Sequence, residues 1–134
     1  MLFTLIGYVF LGSSACAAGT NKSGFIGSWQ LISGEYVNEK GELIHYDKAK
    51  MKAIKTLSEH YYNFTSVSGE RFWAAGAGQY KFSDNTYTEL PLYTSYKIAK
   101  GEVYQFSYKL EGDYWYKSRY KKGIRVEYEV WKKL

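Results

Sequence analysis

Between Trp29 and Lys133, clusters of Gly, Asn, Asp and Ser interrupt runs of β-branched and aromatic residues at short, regular intervals. No window sustains a helical period over three turns, so the chain is confined to strands joined by tight turns. Eight strand runs are predicted, approximately 28–37, 51–58, 61–68, 72–82, 86–96, 102–110, 114–120 and 124–133. Their separators include Asn38-Glu39-Lys40-Gly41, Ser68-Gly69-Glu70, Glu111-Gly112-Asp113 and Lys121-Lys122-Gly123. Each offers a residue tolerant of positive φ, as hairpin turns demand. Eight antiparallel strands joined by hairpins close most economically into an all-β, up-and-down β-barrel, which also removes aggregation-prone edges. The connection from Glu42 to Lys50 is the least strand-like and reads as a loop, a short helical turn or a lid over one barrel end.

At 134 residues the chain is expected to hold one domain, spanning 27–134, behind a short polar tether at 19–26 and a leader at 1–18. The leader is assigned from an apolar stretch, Leu2 to Leu11, too short to span a bilayer and followed by small residues. It implies a secreted or periplasmic protein. Ser13-Ser14-Ala15-Cys16 also resembles a lipobox, which would place the protein on a membrane through a lipid on Cys16. Cys16 is the single cysteine, so an intrachain disulfide and a Cys-based zinc site are both excluded. With only His45 and His60 available, no metal site and no cofactor are expected.

The net charge of +5 gathers late in the chain, at Lys117, Arg119, Lys121, Lys122, Arg125, Lys132 and Lys133. Because Tyr, Val and Glu interleave these positions, they read as solvated strand faces, and nucleic acid is not expected as a partner. Two-residue alternation leaves the inward face open, since both faces are bulky. In the last strand Ile124, Val126, Tyr128 and Val130 oppose Arg125, Glu127, Glu129 and Trp131. Upstream, Tyr114, Tyr116 and Tyr120 oppose Trp115, Lys117 and Arg119. If the Glu faces point inward, Glu89 and Glu129 become buried carboxylates that need Tyr, Arg or Lys partners and have shifted proton affinities. The glycine-rich stretch Ala74-Ala75-Gly76-Ala77-Gly78 is read either as a wall thinned for a ligand or a crossing aromatic, or as a barrel corner or bulge.

Gly27-Ser28-Trp29 resembles the first-strand Gly-x-Trp of lipocalins and the wider calycin group. His60-Tyr61, Ala75-Gly76-Ala77-Gly78-Gln79-Tyr80, Asn85-Thr86-Tyr87-Thr88-Glu89, Gly112-Asp113-Tyr114-Trp115-Tyr116 and Glu129-Val130-Trp131-Lys132 extend the likeness over nearly all of 27–133. Together they resemble a lipocalin-like domain family of secreted bacterial proteins of unknown function. The resemblance implies an eight-stranded barrel with a pocket for a small hydrophobic or amphipathic molecule. Where lipocalins often set an Arg across the internal Trp, this chain offers Lys132 or Lys133. The expected ligand-binding residues are Trp29, Tyr80, Tyr87, Glu89, Tyr108, Trp115, Glu129 and Trp131. Two other readings are carried beside this one: a filled barrel that binds glycans or a partner surface through exposed aromatics, and a small barrel enzyme using Tyr and Glu. Binding without catalysis is the leading expectation.

Overall fold

A computed structural model describes residues 24–134, so the leader and Cys16 lie outside the described residues. Nine strands follow in order: β1 Gly27–Val37, β2 Leu43–His45, β3 Met51–Leu57, β4 Tyr61–Ser68, β5 Arg71–Phe82, β6 Thr86–Thr94, β7 Tyr104–Glu111, β8 Tyr114–Lys121 and β9 Ile124–Lys133. From β3 to β9 each strand pairs antiparallel with the next, and β9 pairs back onto β1, which also pairs with β3. The result is a closed, eight-stranded antiparallel barrel with β2 as an extra strand. Among the described residues there is no α-helix.

β2 occupies the connection that the sequence left open. It extends the upper half of β1 through Glu35↔His45 and Val37↔Leu43, while β3 takes the lower half. Tyr46, just past β2, folds inward against Gly34. A Cβ on Gly34 would stand 2.7 Å from the Tyr46 ring and 2.6 Å from the Tyr128 carbonyl oxygen, so only glycine permits this approach. The β8–β9 turn is the two-residue Lys122-Gly123, with φ of 49° and 77°, the positive pair that suits the twist of flanking strands.

One end of the barrel is shut by aromatic rings. Phe25 is 1% exposed although it belongs to the segment read as a tether. Its ring lies 4.7 Å from Phe82, 5.0 Å from Tyr108 and 5.3 Å from Trp115, centroid to centroid. Its carbonyl accepts a 2.8 Å hydrogen bond from Trp29 Nε1. Lys133 completes the base, with its ammonium 5.3 Å from the Trp29 ring and 3.2 Å from the Gly24 carbonyl. Lys133 is therefore the cation on the internal Trp.

The glycine-rich stretch of β5 meets both of its descriptions. The Phe64 ring crosses Gly76, where a Cβ would approach it to 2.7 Å, and Phe64 and Gly76 are cross-strand partners. A large ring laid over a strand glycine restores the packing the glycine lacks. Register shifts at Ser66/Val67 and Ala77/Gly78 mark bulges on either side of β5. Bulges of this kind bend strands toward closure.

Candidate functional site

Above the aromatic base the barrel encloses a cavity of about 450 Å³, within the range of small-molecule sites. Apolar side chains, among them Leu31, Met51, Ala53, Phe64, Phe106 and Trp131, make up much of its wall. Tyr36, Trp73, Tyr96, Tyr104, Arg119 and Glu127 carry it to the far end of the barrel. That end is the mouth, where Trp73 and Tyr96 are exposed to solvent.

Four charged side chains meet inside: Lys55 from β3, Glu89 from β6, Lys117 from β8 and Glu129 from β9. All four are buried. Lys117 Nζ lies 2.9 Å from Glu129 Oε2 and 3.9 Å from Glu89 Oε1. Lys55 donates to the same Glu89 Oε1, so the charges alternate in sign across the barrel. Tyr87 Oη gives Glu89 Oε1 a further hydrogen bond of 3.0 Å. Glu129 is held from three sides, by Tyr46 Oη at 3.1 Å, Trp131 Nε1 at 2.8 Å and Lys117. Toward the mouth Arg119 Nε donates to Glu127 Oε2 at 2.7 Å.

Strand register explains the arrangement. Lys117 and Glu129 are Cα partners across β8 and β9, as are Arg119 and Glu127, and Trp115 and Trp131. These three inward pairs form a ladder from the base to the mouth. The same alternation sends Tyr114, Tyr116 and Tyr120 outward, with Tyr114 and Tyr120 exposed.

Burial alone would raise both carboxylates, and the ammonium groups reverse that. Lys55 and Lys117 hold Glu89 below its ordinary value, and for Glu129 the same two cations bring the pKa to about 2. Lys117 is raised because Glu129 and Glu89 outweigh its desolvation. Lys55 goes the other way: burial and the neighbouring Lys117 lower it despite Glu89. Its Nζ is ringed by Tyr62, Phe64, Tyr87, Trp115 and Trp131 at 5.4 to 5.9 Å from their centroids. Glu127 is raised by burial and by Glu129, against the pull of Lys117 and Arg119.

No family model matches this sequence, and no curated protein does either. The geometry of the site therefore carries the functional argument. Among the described residues no group of His, Cys, Asp and Glu is placed to hold a metal ion, and no helix is long and apolar enough to cross a membrane.

Of the eight residues expected to bind ligand, Glu89, Glu129 and Trp131 line the cavity. The other five sit elsewhere. Trp29, Tyr80, Tyr87 and Trp115 are buried in the base, where their rings pack together. Tyr87 still reaches the site through its hydroxyl on Glu89. Tyr108 packs on Phe25 from the rim of the base and donates to the Ser83 carbonyl at 2.6 Å.

Two of the late basic residues also differ from their expected solvated place. Lys117 is 3% exposed and Arg119 is turned into the mouth. Lys55, Tyr46 and Glu127 complete the group that the sequence did not single out as a site. Lys117/Glu129 and Arg119/Glu127 did leave a trace there, as opposite charges that lie one residue off symmetry about the Lys122-Gly123 turn. The register shift at Arg119/Tyr120 displaces that symmetry by one residue and hides it.

Proposed function

We propose that this protein is a lipocalin-like binder that holds one small amphipathic molecule inside its barrel. The observation that carries the reading is the cavity of about 450 Å³ with apolar walls and a convergent ion cluster at its floor. A site that is largely apolar with a few fixed polar groups orients a ligand by its polar end and buries its apolar body. The sealed base and the opposite mouth give that ligand one route in. The likeness to lipocalins and the apolar stretch from Leu2 to Leu11 support, on this reading, a location outside the cytoplasm.

Binding suits Glu129 better than acid-base catalysis. A carboxylate with a pKa of about 2 is a poor proton acceptor near neutrality, where a catalytic base works best close to the operating pH. Glu129 also has both oxygens engaged. Its role is to hold Lys117 and the cavity floor in place.

The test is native mass spectrometry of the purified protein, then denaturing extraction, run beside Ala53→Phe. Ala53 is in the cavity wall, and a ring there occupies the space a ligand needs. A discrete bound mass in the wild type that is lost on denaturation and missing from Ala53→Phe is the expected result. If the wild type carries no small molecule and takes up no decanol saturably, the barrel is not a binder of this kind.

A further inference from the structure

The cavity wall contains three cationic side chains, Lys55, Lys117 and Arg119, and three carboxylates, Glu89, Glu127 and Glu129. They pair off internally. Lys55 is matched with Glu89, Lys117 with Glu129, and Arg119 with Glu127. A ligand that brought its own net charge into this space would leave one charge uncompensated at low dielectric, which is strongly unfavourable. A free carboxylate would find each cation already engaged, and an amine would find each acid engaged.

Hydrogen-bonding capacity is less evenly balanced than charge. Glu129 has both oxygens committed, to Tyr46 and to Trp131 with Lys117. Glu89 Oε1 takes both Lys55 and Tyr87. The Lys55 ammonium donates to Glu89, and the Tyr62 and Trp131 ring centroids lie 5.4 Å from its Nζ. Two of the rings around it, Tyr62 and Trp115, carry a buried Oη and a buried Nε1 with no hydrogen-bond partner in the protein. Lys55, which lines the cavity and carries three N–H donors, therefore has donors to spare beyond Glu89. A buried donor left without an acceptor is costly, so the complementary ligand atom is an oxygen that accepts.

Resting on the binding reading above, we propose that the ligand has no net charge and presents an acceptor oxygen, as an alcohol, ester or ketone, to the Lys55 side of the ion cluster. The pairing within the wall makes the cavity a discriminator against fatty acids and fatty amines of the same chain length.

A matched series tests this. Decanol, methyl decanoate, decanoate and decylamine are titrated into the purified protein at neutral pH, with calorimetry and quenching of the wall tryptophans as readouts. Decanol and methyl decanoate are expected to bind saturably, and decanoate and decylamine at least about 10-fold more weakly, since unmatched charge in an interface costs several kcal/mol. Decanoate or decylamine binding as tightly as decanol overturns the selectivity and leaves the binding reading standing. Failure of all four to bind saturably overturns the binding reading itself.

Charge-altering variants supply a sign test that a merely structural role would not produce. Glu89→Gln leaves cations in excess, so the ratio of decanoate to decanol affinity should rise about 10-fold or more. Arg119→Gln, at the less buried mouth pair, should shift the ratio toward decylamine. If either variant changes all ligands equally, wall charge does not set selectivity.

Discussion

Glu129 accepts hydrogen bonds from Tyr46, Trp131 and Lys117 in a buried setting, and this determines how the protein meets acid. Its folded pKa of about 2 lies below the ordinary carboxylate value of 4.5. A carboxylate depressed in this way contributes stability that is present above the unfolded pKa and is lost as pH falls toward the folded one. The contribution is about 3 kcal/mol. Thermal denaturation followed from pH 5 down to about pH 2 should show the melting temperature falling, with Glu89 adding to the slope in the same direction. Glu129→Gln should be less stable at neutrality yet lose less between those limits. Equal slopes for the two proteins would show that Glu129 is not the group responsible. The cluster to which Glu129 belongs was hard to read from sequence because hydropathy misleads at this scale. In β3 the apolar Ile54 points to solvent and the charged Lys55 points inward. A strand with that inversion gives no signal of a buried ammonium until its carboxylate partner on β6 is known.

Strands and turns were far more legible than side-chain partners. All eight predicted runs correspond to barrel strands, because hairpin turns are local events written in a few residues of permissive φ. β2 escaped because three residues carry no period; it is defined by pairing with β1 rather than by its own pattern. The turn at Lys122-Gly123 gives this scale its own test. Lys122 holds a φ of 49° without being glycine, a conformation that Asn adopts more readily. Lys122→Asn should stabilise the barrel by roughly 0.5 kcal/mol by easing the β8–β9 hairpin. Chemical denaturation should show a higher midpoint with unchanged slope. A lower midpoint would mean that the Lys side chain has a role the turn geometry does not reveal.

For the whole molecule, the base and the cavity divide the barrel's work. The base carries the dense aromatic packing and the upper half keeps an open interior. An unfilled interior lacks packing partners, so occupancy should stabilise the fold. Decanol at about 100 times its dissociation constant should add about 2.7 kcal/mol, a rise of about 10 °C in melting temperature for a domain this size. Ala53→Phe should show almost no further rise, because its added ring already fills the space. A wild type that melts at one temperature with or without this decanol would mean that decanol does not bind the folded protein in preference to the unfolded chain. The distribution of the ion cluster over β3, β6, β8 and β9 has a consequence for descent as well as for stability. Removing any one of its four members strands a buried charge at about 3–5 kcal/mol, a large part of what a domain has to spare. Such a lineage cannot shed these residues singly, and its history should be one of coupled exchanges, in which an acid and a base disappear from two strands together or not at all.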